Sequence, residues 1–379
     1  MSELRDLTER LVSIPSHDDE TAAGDAVASW LHEHTDADVT RDDAGNVIAW
    51  RNADADGDSL ALVGHHDVVP PDESQTEDSV ATESQRDGGG ETAVGDYVVY
   101  EEDGRLYGRG TADMKGAVAA MLLAFRDAEP DGPLAFASFA GEELGGVGAQ
   151  HAIDAGFAPD YAVVGEGSTG YSESGVVDVA VAHKGRRAST VTADGEAAHA
   201  SEVESGENAV YRACDAVDVL RDLDAPEADV LGQHLTGSVA VTEIEGGTAW
   251  NVIPETCEVT VDERTVPGER ADVGAVEDVA GVSWTVEQDL PPMACDDAEF
   301  ADSVLDAARD VQDGAGEHVA KPHATDAGWL AAAGTTCLVC GPAEQGEAHT
   351  ADESVSLDAL ARCRRVYAAA AERVPGGQS

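Results

Sequence analysis

Short apolar runs separated by glycine- and proline-containing turns recur along the chain and predict buried strands. Several of these runs lead directly into a turn that carries His, Asp or Glu. They lie at residues 60–64, 105–108, 133–140, 161–165 and 337–340. In open α/β sheets, ligands bind just beyond the carboxyl ends of the strands. We therefore expect the polar residues that follow these runs to line one cleft.

Helical spacing of apolar residues appears between the predicted strands. Leu4, Leu7 and Leu11 recur at helical intervals, and residues 21–34 and 117–125 also have the composition and length of helices. Strands that alternate with helices are typical of a sheet covered on both faces. The pattern predicts an α/β fold with a mostly parallel sheet.

The pattern changes between about residues 179 and 290, where apolar and polar residues alternate. Alternation over 177–181, 238–241 and 257–261 predicts antiparallel strands, and 208–222 predicts a helix. We interpret this region as a separate α+β domain inserted into the first. The predicted boundaries are 1–178 and 291–379 for the two parts of the catalytic domain and 179–290 for the insertion.

The charge of the chain is strongly unbalanced. Its 379 residues include 76 Asp and Glu against 22 Lys and Arg, for a net charge of −54. Nucleic-acid binding is excluded as a role, because phosphate contacts need clustered cations. The acidic residues are spread along the whole chain, which is typical of a halophile's surface and predicts a need for high salt. A polyanionic interaction protein that binds basic partners is the alternative.

Targeting signals and membrane spans are not apparent in the pattern. Residues 1–6 contain no basic segment followed by an apolar core, so we expect no signal peptide. No apolar run approaches the ~18 residues of a membrane span. We therefore expect a cytoplasmic protein without membrane contact.

The acidic, glycine-containing residues 71–96 predict a long loop.

The six cysteines are scattered apart from the pair Cys337 and Cys340. A CxxC pair can bind zinc or carry redox chemistry, but no second Cys or Cys-His pair accompanies this one. Both residues also lie in a predicted strand, where positions three apart face opposite sides. We expect them to be buried core cysteines.

Nitrogen and carboxylate ligands follow the predicted strands. The candidate set is His65, Asp113, Glu142, Glu143, Glu166 and His349. Taken singly, adjacent glutamates in an acidic chain are a solvated turn, and an Asp before a helix is an N-cap. Together, ligands of this kind without thiolates suit zinc in a hydrolytic site, with cobalt or manganese as substitutes. Two metals ~3.5–4 Å apart could make a nucleophile and polarise a carbonyl.

Four motifs make the chain recognisable. They are Gly-His-His-Asp-Val-Val-Pro at 64–70, Gly-Arg-Gly-Thr-Ala-Asp-Met-Lys-Gly at 108–116, Gly-Glu-Glu at 141–143 and Ala-His-Thr at 348–350. In this order they resemble the dinuclear zinc amidohydrolases and metallopeptidases that include acetylornithine deacetylase, succinyl-diaminopimelate desuccinylase, aminoacylase and glutamate carboxypeptidase. The resemblance covers nearly the whole chain. It implies a metal-binding catalytic domain with an inserted lid and dimerisation domain.

The resemblance implies a site with two Zn²⁺ ions. By it, His65 and Glu166 bind one metal, Glu143 and His349 bind the other, and Asp113 bridges the two.

The same resemblance assigns the residues beside the metals. Asp67 would accept the second N–H of His65 and so determine its tautomer. Glu142 would be the general base that activates the water and passes the proton to the leaving amine. His66 competes with His65 as a ligand, but the family pattern places the ligand directly after the glycine.

Three residues of the insertion also match the family. His199 would reach the partner subunit's site and help hold the oxyanion, and Asn251 and Arg264 would contact the substrate. Arg suits a carboxylate because its guanidinium binds both oxygens. The alternatives are a structural role for His199 and an ion pair for Arg264. Residues 325–328 resemble the family's substrate-side loop, whereas 321–324 depart from it.

The resemblance implies a hydrolase that removes an acyl group from an N-acyl amino acid and acts as a homodimer through the lid. A metallo-carboxypeptidase or dipeptidase of the same family is one alternative. A non-catalytic metal- or ligand-binding relative is another, although such a protein is expected to have lost the base or a ligand.

Overall fold

The structure, a computed structural model, describes residues 2–76 and 97–373 and contains eight α-helices in that part of the chain. Residues 77–96, most of the predicted acidic loop, lie outside the described residues. The helices are α1 (Ser2–Val12), α2 (Thr21–His34), α3 (Gly116–Asp127), α4 (Val147–Asp154), α5 (Ala209–Arg221), α6 (Ala298–Asp310), α7 (Asp326–Ala332) and α8 (Leu357–Arg373).

Twenty strands accompany these helices in the same residues. The first ten are β1 (Asp38–Arg41), β2 (Val47–Arg51), β3 (Leu60–His65), β4 (Tyr100–Glu102), β5 (Arg105–Tyr107), β6 (Leu134–Phe139), β7 (Tyr161–Val164), β8 (Val179–His183), β9 (Gly185–Asp194) and β10 (Ala198–His199). The others are β11 (Glu227–Val230), β12 (Gln233–Thr236), β13 (Ser238–Gly246), β14 (Val252–Ile253), β15 (Thr256–Thr265), β16 (Val282–Leu290), β17 (Met293–Ala294), β18 (His318–Lys321), β19 (Thr336–Val339) and β20 (Ser354–Ser356).

Two compact units divide the chain. The first contains the described residues up to Ala182, the segment Ala294–Lys321 and the residues from Thr325 onward. The second contains His183–Met293 and Pro322–Ala324. The sequence predicts that the first part of the catalytic domain ends at residue 178 and that the second part begins at 291, whereas the first compact unit ends at Ala182 and resumes at Ala294.

A mixed sheet forms the centre of the first unit. Its strand order is β1-β2-β6-β3-β7-β19-β8-β17, and β18 pairs with β8. The central strands β6, β3, β7 and β19 run parallel, whereas β2 and β8 are antiparallel to their neighbours β6 and β19. The predicted α/β class with a mostly parallel sheet is confirmed. Strand β8, which the alternating pattern had assigned to the insertion, lies in this sheet.

Helix α3 shows why the central strands carry continuous apolar runs. Its residues from Gly116 to Phe125 are all buried, and the helix contacts β3, β6, α1 and α8. A helix that is apolar all round needs partners on every side. Strands β3 and β6 are likewise buried at all six of their residues. Cys337 lies within β19 and Cys340 directly follows it, and both are buried, as expected for core cysteines.

The second unit is built on a four-stranded antiparallel sheet in the order β13-β15-β9-β16. Helix α5 contacts β9, β13 and β15. Its buried face includes Ala213, Ala216 and Leu220, and these pack with Val259 and Val261 of β15. The small side chains of α5 allow the helix backbone to approach the sheet closely.

Among residues 2–76 and 97–373, no helix combines the length and apolar character that a membrane crossing requires.

Candidate metal centre

The predicted ligands meet at one edge of the central sheet. His65 is the last residue of β3, and the glutamates Glu142, Glu143 and Glu166 lie just beyond β6 and β7. Because β6, β3, β7 and β19 are parallel neighbours, their carboxyl ends lie together. The loop beyond β19 brings His349 to the same place.

Two clusters of metal-ligand type share one carboxylate. His65, Asp113 and Glu166 form the first cluster, and Asp113, Glu143 and His349 form the second, with the ligand atoms of each within 4.8 Å of one another. Asp113 uses a different oxygen toward each cluster. Its Oδ1 lies 3.0 Å from His65 Nε2, and its Oδ2 lies 2.9 Å from His349 Nε2.

The remaining distances complete both clusters. His65 Nε2 lies 3.3 Å from Glu166 Oε1. His349 Nε2 lies 3.1 Å from Glu143 Oε1. Both histidines therefore present Nε2 to carboxylates, and Asp113 is the residue common to the two clusters.

Backbone and side-chain contacts hold the imidazole of His65. Its Nδ1–H donates to the main-chain carbonyl oxygen of Asp67 at 3.0 Å, and the Oδ1 atom of Asp67 lies 3.3 Å from the same nitrogen. The other oxygen, Oδ2, accepts a hydrogen bond from the backbone N–H of Glu143 at 3.0 Å. Asp67 thus links segments that carry a candidate ligand of each cluster, and it orients the imidazole so that Nε2 of His65 faces Asp113 and Glu166.

His66 belongs to neither cluster. It is buried, and its Nδ1 lies 2.9 Å from Ser138 Oγ. Burial lowers its pKa to about 3. Successive side chains of a strand point to opposite faces, so His66 points away from the carboxylates that surround His65.

The carboxylates create a strongly negative site. Burial alone would lower the pKa of His65, but its hydrogen bonds to Asp113, Asp67 and Glu166 outweigh burial and raise this pKa well above the usual value. Contacts with Asp113 and Glu143 raise the pKa of His349 to about 10. A field that favours the protonated form of two imidazoles also attracts divalent metal ions.

Glu142 differs from its neighbour Glu143. Burial, with a further contribution from the charge of Asp326, raises the pKa of Glu142 well above its usual value, although His65 opposes this. A carboxyl group with a raised pKa can accept and release a proton nearer to neutral pH. Glu142 is therefore suited to proton transfer rather than to simple charge pairing.

Helix α7 holds the turn that carries the two glutamates. Trp329 Nε1 donates to the carbonyl oxygen of Gly145 at 3.1 Å. Gly146 has a φ of +75°, and a Cβ atom there would lie 2.5 Å from Trp329 Nε1. The close approach of the indole therefore requires glycine in the turn after Glu143.

His349 has a left-handed backbone, with a φ of +61°. Such a conformation is uncommon for a residue with a side chain and is typical of functional positions. The next residue is anchored, because Gln75 Nε2 donates to the carbonyl oxygen of Thr350 at 3.1 Å. The backbone thereby turns the imidazole of His349 toward Asp113.

Two further residues at this edge were not among the predicted site residues. Lys321 is buried, donates from Nζ to the carbonyl oxygen of Gly167 at 2.6 Å, and lies 3.7 Å from Glu166 Oε2. Asp326 is also buried, and among the described residues neither of its oxygens has a hydrogen-bond partner. Burial raises the pKa of Asp326 to about 7. The sequence signals were the departure from the family pattern at 321–324 for Lys321 and the resemblance of 325–328 to the family's substrate-side loop for Asp326.

His199, Asn251 and Arg264 lie in the second unit. His199 is exposed, and its Nδ1 accepts a hydrogen bond from the backbone N–H of Ser201 at 3.2 Å. Arg264 Nε donates to Asp262 Oδ1 at 2.8 Å, so the ion pair foreseen as its alternative role is present. The side chain of Arg264 is still 36% exposed and can accept a further anion.

The same carboxylate of Asp262 has a second arginine partner. Arg186 Nε donates to Asp262 Oδ2 at 2.7 Å. Arg186 and Arg264 are directly paired across β9 and β15. Two guanidinium groups therefore share one carboxylate on this sheet.

Comparison with known proteins identifies the family. Residues 61–373 match the model of peptidase family M20/M25/M40. The chain is 30% identical over 367 residues to an acetylornithine deacetylase of Myxococcus xanthus, and the match covers 89% of this chain and 87% of that protein. The chain belongs to peptidase family M20/M25/M40. It is accordingly a hydrolase that acts on amide bonds.

Solved structures share its fold. The aminopeptidase PepT of Bacillus cereus superposes with a TM-score of 0.78 at 20% identity, over 97% of both chains. A dinuclear metal binding peptidase of the M20 family from Bacillus subtilis superposes with a TM-score of 0.69 at 16% identity, over 98% of this chain and 97% of that one. At such identities the likeness shows the fold. Dinuclear metal binding is a property of the M20 family, and the two clusters sharing Asp113 fit it.

Proposed function

We propose that this M20 protein is a two-metal amidohydrolase that removes the acyl group from an N-acyl amino acid, in the manner of acetylornithine deacetylase or succinyl-diaminopimelate desuccinylase. The observation that carries the proposal is the double use of Asp113, whose two oxygens face His65 and His349 at 3.0 and 2.9 Å. A structural ion pair needs one carboxylate oxygen for one partner. A carboxylate shared by two clusters suits a pair of metal ions.

In this proposal each cluster holds one Zn²⁺ ion, for which Co²⁺ or Mn²⁺ could substitute. His65 and Glu166 would hold one ion, Glu143 and His349 would hold the other, and Asp113 would contact both. The donor set fits, because it offers imidazole nitrogens and carboxylate oxygens without thiolates. When bound, the two ions supply Lewis-acid polarisation of the scissile carbonyl and balance the charge that develops on its oxygen.

Glu142 carries the proton. It accepts a proton from the attacking water as the water oxygen bonds to the acyl carbon. It then gives this proton to the amide nitrogen as the C–N bond breaks, so a carboxylic acid and an amine leave the site. The raised pKa of Glu142 favours both halves of this transfer.

Residues of the second unit orient the substrate in the proposal. Because Nδ1 of His199 accepts from Ser201, a neutral imidazole carries its proton on Nε2 and can donate it to the oxyanion. Arg264 and Asn251 bind the substrate carboxylate. We assign the donation by His199 to the site of a partner subunit, as the family resemblance implies.

An exposed sheet edge supports a homodimer formed through this unit. Strand β13 lies at the end of its sheet and, in the described part of the chain, pairs with β15 alone. Val241 and Ile244 on β13 are 39% and 50% exposed, and Tyr211 on α5 is 67% exposed. A long edge strand with exposed apolar residues is a ready surface for a second copy.

A dipeptidase or carboxypeptidase activity is the second candidate. The structural likeness to solved peptidases supports cleavage of a peptide bond, which is an amide that the same residues could cleave. The choice depends on the groups that contact the acyl portion of the substrate.

The test is hydrolysis of a panel of N-acetyl amino acids, N-succinyl amino acids and dipeptides, in high KCl with added zinc or cobalt. Glu142→Gln should lower kcat by about 10²–10⁴-fold, the usual contribution of a general base. Its metal content should stay at two ions per chain. Glu33→Gln, which changes an exposed glutamate of α2, is the matched control.

Each outcome of the panel is informative. Preference for acetyl or succinyl substrates would identify the acyl group that the enzyme removes. Preference for dipeptides would favour the peptidase activity over removal of an acyl group. A Glu142→Gln variant with unchanged kcat would refute the assignment of the base.

A further inference from the structure

Glu353 lies behind the metal clusters rather than in them. It follows His349 by four residues and comes directly before β20. It is 1% exposed, and no role was predicted for it from the sequence. A buried carboxylate needs compensation by hydrogen bonds or a counter-charge, so its partners indicate what it does.

One oxygen of Glu353 gathers the loop that carries Asp113. Oε1 accepts backbone hydrogen bonds from Gly110 at 2.9 Å, Ala112 at 3.0 Å and Asp113 itself at 3.1 Å. Gly110 has a φ of +88°, which turns the chain so that these N–H groups converge. The backbone N–H of the shared ligand is therefore bound directly to this carboxylate.

The second oxygen is neutralised by Arg109. Arg109 Nη1 donates to Glu353 Oε2, and Nη2 donates to the carbonyl oxygen of Pro70 at 3.3 Å. Arg109 is only 3% exposed. The backbone N–H of Gly108 also donates to the carbonyl oxygen of Glu353, at 3.0 Å. Residues 108–113 therefore bind both the carboxylate and the backbone carbonyl of Glu353.

We propose that Glu353 is a positioning residue of the metal centre. Glu353 lies in the segment that carries His349 and binds the backbone of the Asp113 loop. It thereby sets the distance between Asp113 and His349. The inference rests on the metal centre proposed above. Partners that orient ligands typically contribute 10–100-fold to metal affinity. Glu353 touches neither ligand side chain, so its effect passes through the backbone of Asp113.

The test measures metal affinity by competition with a chromophoric chelator. Glu353→Asp shortens the side chain by one methylene and should weaken binding of Zn²⁺ by about 10–100-fold. The double variant Glu353→Gln with Arg109→Met keeps the side-chain length of residue 353 and one oxygen that can accept the backbone hydrogen bonds. It removes the negative charge of Glu353 and the positive charge of Arg109 together. This double variant should bind Zn²⁺ nearly as well as the unsubstituted chain.

Asp178→Asn is the matched control for loss of stability. Asp178 is fully buried and accepts backbone hydrogen bonds from Ser172 at 2.8 Å and Glu317 at 2.9 Å, but it contacts no predicted ligand. We expect this variant to lower the melting temperature and to leave the affinity for Zn²⁺ unchanged.

The outcomes separate the two proposals. If Glu353→Asp binds Zn²⁺ as tightly as the unsubstituted chain does, Glu353 has only a structural role and the inference is wrong. If Asp178→Asn weakens binding equally, the effect is one of stability and the inference is again wrong. If the unsubstituted chain binds no Zn²⁺, the metal centre itself is wrong.

Discussion

The two adjacent histidines show how much a single residue's direction matters. His65 faces Asp113 and Glu166, whereas His66 faces Ser138 and lies outside both clusters. The two residues are chemically identical, so the alternation of a strand decides which of them can be a ligand.

This difference predicts opposite results for the two histidines. His65→Gln should reduce bound zinc from two ions to one or fewer and abolish activity, because one cluster loses its nitrogen ligand. His66→Gln should retain both ions, although its buried position will lower the melting temperature. Metal analysis of the purified variants measures both results. Full loss of zinc in His66→Gln alone would reverse the assignment.

A second prediction at this scale concerns pH. Burial is the largest cause of the raised pKa of Glu142, and the charge of Asp326 adds to it. Asp326→Asn removes that charge, so the pKa of Glu142 falls. A general base works in its deprotonated form, and activity is lost as the pH falls through its pKa. The acid limb of kcat/KM should therefore move to lower pH.

The control for the pH experiment is Asp154→Asn, which removes an exposed carboxylate of α4. It should leave the acid limb in place. A shift of the Asp326→Asn profile to higher pH, or no shift, would contradict the electrostatic argument.

Among the elements, helix α7 has a defined role for the turn that bears Glu142 and Glu143. Its Trp329 donates to the carbonyl of Gly145 and packs on Gly146. The turn therefore depends on a helix that is distant in the chain, because the bonded residues Gly145 and Trp329 are 184 positions apart. The sequence pattern of the turn alone contains no sign of this dependence.

We predict that Trp329→Phe lowers kcat more than it lowers stability. The ring remains but the donor is lost, which costs about 1 kcal/mol of unfolding free energy for one hydrogen bond. Displacement of a catalytic group by 1 Å can lower the rate by about 10²-fold. Steady-state kinetics and a thermal melt measure the two effects. Trp50→Phe on β2 is the control and should leave kcat unchanged.

At the scale of the whole molecule, charge determines the conditions for folding. A net charge of −54 on 379 residues repels itself in the folded state. Salt screens this repulsion, because the Debye length falls from ~10 Å at 0.1 M to ~3 Å at 1 M. The metal centre concentrates further carboxylates at one edge of the sheet, so bound cations should also stabilise the fold.

We therefore predict that the melting temperature rises as KCl is increased from 0.1 to 2 M, because added salt progressively screens the repulsion between the surface carboxylates. Differential scanning calorimetry at fixed zinc concentration measures it. The same melting temperature at both ends of the range would show that the acidic surface does not limit stability.

Much of the first unit follows from local pattern. The helix over 21–34 and the strands beginning at Leu60 and Tyr161 lie where helical spacing and apolar runs predict them. Strand β8 shows the limit of that pattern, because alternation predicted an antiparallel strand and assigned it to the insertion, whereas the strand pairs antiparallel with β19 in the large sheet. Local pattern predicts an extended segment, but partners distant in sequence decide its sheet.

The sequence by itself determined the chemical types of the ligands and their order, since each follows a strand whose apolar run is visible in the chain. It also determined the family, through motifs that span nearly the whole length. Only the tertiary structure decided how these groups meet. It places Lys321 beside Glu166 and Glu353 beneath the Asp113 loop. Such contacts join residues more than 150 positions apart, and no local pattern encodes them because they form only when the strands assemble side by side.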